Sequence, residues 1–60
     1  MILADLTYEE VEKLAADLGV PSYRAKQLYA HITRFDDYDE MSDLPAVFRE
    51  KLKSLYAAHG

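Results

Sequence analysis

Leu18-Gly19-Val20-Pro21-Ser22-Tyr23-Arg24-Ala25-Lys26-Gln27-Leu28-Tyr29 is the stretch from which the rest of the chain can be read. Gly19 reaches the left-handed conformation cheaply and so ends a helix. Pro21-Ser22 opens the next one, with Ser22 predicted as its N-cap. Two helices joined by so short a turn must pack against each other, which sets an all-α fold.

Upstream, Thr7-Tyr8-Glu9-Glu10 fits a capping box: the threonine oxygen takes a backbone amide and Glu10 reaches back to the start. Glu9 and Glu10 also suit the positive helix end. Val11, Leu14, Ala15 and Leu18 recur at helical spacing and form one apolar stripe. Downstream, Ala25, Leu28, Tyr29 and Ile32 do the same for the second helix, which ends near Thr33 or Arg34. Phe35 to Leu44 is acidic and rich in turn-forming aspartate, so it reads as a loop with a short turn around Asp37 to Met41. Phe35, Tyr38, Met41 and Leu44 are expected to pin that loop to the core. A third helix is expected to begin with Pro45 at its first position, where a missing amide costs nothing, and to bury Phe48, Leu52, Leu55 and Tyr56. Ala57 to Gly60 are expected to fray. No strand alternation, repeat or linker appears. The expected architecture is a small three-helix bundle with an extra turn before the last helix, in one domain spanning residues 1–60.

Sixty residues bury only about 60% of the surface that the unfolded chain exposes, so stability is modest. There is no cysteine, hence neither a disulfide nor a thiolate metal site. The apolar start, Met1 to Leu6, is too short for a signal peptide or a membrane span, and the expected compartment is the cytoplasm. His31 and His59 lack partners at ligand spacing, and the acids of residues 36–43 lack the glycine and terminal glutamate of a calcium loop. No metal is expected. Ser22, Ser42 and Ser54 read as caps or surface residues, and neither a phosphate loop nor a dinucleotide fingerprint is present. The isolated chain is therefore not expected to be a catalyst.

The net charge of −4 argues against broad nucleic-acid binding, but it hides a pattern. Residues 1–21 carry five acids and Lys13, residues 22–34 carry Arg24, Lys26 and Arg34 with no acid, residues 35–44 carry five acids, and residues 45–60 carry Arg49, Lys51 and Lys53 with Glu50. These runs are either solvated faces or, in the basic segments, a face for a polyanion. Arg24, Gln27, His31 and Arg34 fall at intervals of three, four and three on one flank of the second helix. Leu18-Gly19-Val20 resembles the apolar-glycine-apolar turn of helix-hairpin-helix nucleic-acid binders, in which amides at the second helix start meet a phosphate. Tyr8, Tyr23, Tyr29 and Tyr38 are either base-stacking rings or core residues.

Four segments in order are similar to one family: Leu6-Thr7-Tyr8-Glu9-Glu10-Val11; Leu18 to Tyr29; Tyr38-Asp39-Glu40-Met41-Ser42-Asp43-Leu44-Pro45; and Phe48-Arg49-Glu50-Lys51-Leu52. They resemble the N-terminal domain of the RlmN/Cfr radical-SAM RNA methyltransferases, the RlmN branch above all, across nearly the whole chain. The resemblance implies an accessory helical domain that helps to engage RNA, in an enzyme making 2-methyladenosine in ribosomal RNA and some transfer RNAs. It implies a catalytic radical-SAM domain in the same polypeptide, with a 4Fe–4S cluster on a CxxxCxxC motif, S-adenosylmethionine and two further catalytic cysteines, none of them in this chain. It further implies a monomer with no membrane partner. Family members commonly have tryptophan where this chain has His31, and the loop before Tyr38 is about two residues shorter than usual. The resulting RNA-contact candidates are Arg24, Lys26, Gln27, His31, Arg34 and Arg49. The alternative function is a docking module that packs on the catalytic domain or another protein without touching RNA.

Overall fold

The computed structural model describes residues 2–57. A 3-10 turn, Leu3–Asp5, leads into α1 (Tyr8–Asp17), followed by α2 (Ser22–Thr33), a second 3-10 turn (Tyr38–Glu40) and α3 (Ala46–Leu55). The all-α three-helix architecture with its extra turn is as the sequence indicates. α1 and α2 form the closest helix pair, and the first turn packs on α2.

The capping box at α1 is present: the Thr7 amide donates to Glu10 Oε1 at 2.8 Å and the Glu10 amide to Thr7 Oγ1 at 3.2 Å. Gly19, at φ 76°, ends α1. The core joins Leu3, Val11, Ala15, Ala25, Leu28, Ile32, Tyr38, Met41, Leu44, Phe48 and Leu52, so every element contributes. Phe48 is 1% exposed, and truncating it to alanine costs about 3–5 kcal/mol, comparable with the whole stability of a small domain.

Several boundaries and orientations differ from expectation. Ser22 is the first helical residue of α2, and Pro21 takes the N-cap position in extended conformation. Pro45 likewise flanks α3 instead of starting it. Proline offers no side-chain oxygen, so neither helix mouth has a side-chain cap. Phe35 is 67% exposed and does not pin the loop, a task left to Tyr38, Met41 and Leu44. Its left-handed backbone at φ 58° ends α2 and turns the ring away from the core. Leu55 is 54% exposed, because the last turn of α3 runs past the core and only Tyr56 packs back against it. Ala57 does not fray: it forms a parallel bridge with Ile2, its carbonyl accepting the Leu3 amide at 2.9 Å. The expectation of fraying at 58–60, and the reading of His59 as a tail residue, lie outside the described residues.

Candidate functional site

The mouth of α2 carries the most concentrated surface chemistry. Val20 packs against the core and Pro21 holds the chain extended, so the first amides of α2, those of Ser22 and Tyr23, have no side-chain cap. Such amides favour an anion. Tyr23 is 54% exposed, and the Arg24 guanidinium lies over its ring, 4.7 Å from the centroid. Arg24 is also anchored from below: its Nη1 donates to Gln27 Oε1 at 2.9 Å and to the Asp43 carbonyl at 3.0 Å. The fork is thus held in one orientation, across an exposed aromatic face and beside open amides.

The structure brings some of the candidates together and separates others. Gln27 supports Arg24 directly. Lys26 is exposed but stands two residues further on, about 200° around the helix, so it addresses a different side. Arg34, at the far end of α2, donates from Nε to Asp36 Oδ2 at 3.1 Å. Arg49 turns inward from α3: Nη1 donates to the Tyr38 carbonyl at 3.4 Å, and Nε is buried without a hydrogen-bond partner among the described residues. Of the four tyrosines weighed for stacking, Tyr8 and Tyr29 form an edge-to-face pair at 5.2 Å. Tyr38 is buried, its hydroxyl donating to the Tyr56 carbonyl at 2.8 Å, and burial pushes its pKa up to about 12. Tyr23 alone among them is exposed.

His31 is the one buried polar side chain among the described residues. Nδ1 lies 2.8 Å from Asp36 Oδ2 and Nε2 lies 2.6 Å from Asp43 Oδ1. Burial pulls its pKa down, but the hydrogen bonds to Asp36 and Asp43 and the charge of Asp43 outweigh burial and the nearby Arg34, so the pKa sits above the ordinary histidine value. The hydrogen bond from His31 holds both Asp36 and Asp43 below the usual carboxylate range. With both ring nitrogens occupied, His31 has no polar atom to offer a ligand. The sequence reading missed this clasp because the acids of residues 36–43 look like a solvated run. The available signal was a histidine on the edge of an apolar stripe followed by acids that turns could fold back onto it.

The described residues contain no cluster of histidine or acidic side chains able to hold a metal. No helix among them is long and apolar enough to cross a membrane.

Residues 1–57 match the family model described as "Ribosomal RNA large subunit methyltransferase N-terminal domain". The chain is similar to a Nocardioides protein named "Probable dual-specificity RNA methyltransferase RlmN", 50% identical over 52 residues, which covers 83% of this chain and 14% of the relative. A Parafrankia protein of the same name is 46% identical over 54 residues, covering 83% of this chain and 14% of the relative. One from Aquifex aeolicus is 36% identical over 59 residues, covering 95% and 17%. The chain thus spans only a small part of the length of the relatives it matches. No solved structure matches it. This chain belongs to the family of ribosomal RNA large subunit methyltransferase N-terminal domains.

Proposed function

We propose that this chain is the RNA-engaging accessory domain of a dual-specificity methyltransferase forming 2-methyladenosine in ribosomal and transfer RNA. The supporting observation is the exposed Tyr23 ring with the half-buried Arg24 guanidinium over it, beside the uncapped amides of α2. Arg24 and the amides suit a phosphate, and the Tyr23 face suits an unpaired base. Gln27 positions Arg24. Lys26 and Arg34 add positive charge on other parts of the same helix. The relatives carry "dual-specificity RNA methyltransferase" in their names, which supports RNA as the polyanion.

On this reading the parent enzyme uses a 4Fe–4S cluster and S-adenosylmethionine to supply radical chemistry at the adenine carbon. Such clusters are held by cysteine thiolates. This chain has no cysteine, so its residues do not fit the group, and the cluster belongs to the catalytic part of the polypeptide.

The test is RNA affinity of the full-length enzyme at several salt concentrations. Arg24→Ala should weaken binding and lower the salt slope by about one unit. Tyr23→Ala should weaken binding with the slope unchanged. Wild-type affinity and slope in both variants would remove the α2 mouth as an RNA contact.

A second reading, docking on the catalytic part, is favoured by Val47 and Leu55, which are 67% and 54% exposed on α3. They lie eight residues apart, about 80° around the helix, and so share an outward side. Chemical-shift mapping with the catalytic part added would move α3 signals on this reading and α2-mouth signals on the first.

A further inference from the structure

His31 faces charged groups from two directions. Asp36 and Asp43 come from the segment between α2 and α3, and Arg34 comes from the end of α2 itself. A carboxylate has no proton to give, so each short contact requires the ring nitrogen to donate. Both nitrogens donate only in the imidazolium form. Arg34 Nη2 lies 3.1 Å from Nδ1, but it cannot donate to a protonated nitrogen, and Arg34 and His31 instead share Asp36 Oδ2.

The geometry points to His31 as a proton-operated clasp: the doubly protonated ring holds Asp36 and Asp43 together, and loss of one proton releases Asp43 while Asp36 stays bound. The choice follows from how each carboxylate is held. The Asp36 side chain is 18% exposed and is pinned by Arg34 Nε at 3.1 Å. Its amide also donates to the His31 carbonyl at 3.1 Å, which fixes Asp36 beside the ring. The Asp43 side chain is 47% exposed and can swing into water. When the ring is neutral, one nitrogen presents a lone pair, which repels whichever carboxylate faces it. A bare Nδ1 would accept from Arg34 Nη2, yet Arg34 Nε would still hold Asp36 Oδ2 against the same lone pair, whereas the half-exposed Asp43 can swing away from a bare Nε2. The proton therefore leaves Nε2 for water, Nδ1–H stays on Asp36, and Asp43 turns outward.

Asp43 is also the joint between clasp and mouth, since its backbone carbonyl anchors Arg24. The flank made by Arg24, His31, Arg34, Asp36 and Asp43 carries one net positive charge with the ring protonated and none with it neutral. Weaker RNA binding at higher pH is a consequence that rests on the RNA reading above. The clasp itself does not, and it is tested without RNA.

The experiment is a nitrogen-detected titration of His31 in this chain, with His59 separated by sequence-specific assignment. At pH 6 both ring nitrogens should read as protonated, and the midpoint should lie above that of an ordinary histidine. Past the midpoint the neutral ring should be the Nδ1–H tautomer, and the Asp43 carboxylate carbon should shift while that of Asp36 holds. In Asp43→Asn the neutral tautomer should remain Nδ1–H, and in Asp36→Asn it should switch to Nε2–H. A ring already neutral at pH 6, or an Nε2–H neutral tautomer in the unaltered chain, would overturn the proposal.

Discussion

At the end of α1 the Gly19 amide bonds to the Ala16 carbonyl at 3.1 Å, and the Val20 amide to that of Ala15 at 3.0 Å. At the end of α2 the Phe35 amide bonds to the Ile32 carbonyl at 3.0 Å, and the Asp36 amide to that of His31 at 3.1 Å. Both are Schellman turns, each with its first residue beyond the cap in the left-handed region. The difference lies in what each turn brings together. Such a turn places the second residue beyond the cap against the third residue before it. In α1 these are Val20 and Ala15, an apolar contact in which Ala15 lies in the core and Val20 packs against it. In α2 they are Asp36 and His31, an ionic contact. One backbone device thus serves as an apolar latch at one end of the helical hairpin and as a titratable one at the other. The first is indifferent to pH. The second can answer to it.

The comparison breaks most visibly at the ionic turn. His31→Ala removes two charge-assisted hydrogen bonds and leaves two carboxylates converging on a void. It should cost about 2 kcal/mol by urea unfolding, less than two fully buried bonds of this kind because Asp43 is half exposed. Its pH dependence follows from the directions of the shifts. The pKa of His31 is raised, so its contribution is complete below the ordinary histidine value and is lost as pH rises through the raised one. Those of Asp36 and Asp43 are lowered, so theirs is complete above the ordinary carboxylate value and is lost as pH falls through the lowered ones. The unfolding midpoint should therefore show a plateau between these limits, and His31→Gln should lose the alkaline limb. A limb of equal size in that variant would mean that other groups produce it.

At the apolar turn, Gly19→Ala meets no atom within 4 Å, so only the left-handed backbone resists it. The expected loss is about 1 kcal/mol, with no change in pH dependence. A larger loss would point to crowding. The smallest effect is expected at Phe35→Gly. It relieves the left-handed strain but adds unfolded-state freedom, for a net gain of roughly 0.5 kcal/mol in the same unfolding assay. A clear loss would show that the exposed ring contributes to folding.

Glycine explains why one turn is legible in sequence and the other is not. Gly19 announces its backbone, and Thr7 with Glu10 announces the start of α1, so the first helix can be placed from composition and spacing alone. Phe35 has no such signature, and its exposure follows from a backbone state that phenylalanine rarely takes. Pro21 and Pro45 mark the starts of α2 and α3, but whether proline flanks a helix or begins it is a matter of one residue that spacing does not resolve. The polar spacing along α2 foretells the alignment of Arg24 with Gln27. It says nothing of Asp43, twelve residues beyond His31, because that contact exists only once the loop folds back.

The pairing of Ile2 with Ala57 bears on how a longer polypeptide would tug at this unit. The two strands of that bridge run parallel, so tension applied at Ile2 from upstream and at Ala57 from downstream pulls the pair along its length, in shear, instead of peeling it open. The amide-carbonyl link from Leu3 to Ala57 takes the load first. Because Leu3 is sunk beneath the helices, slippage at this clip would drag an anchor out of the interior.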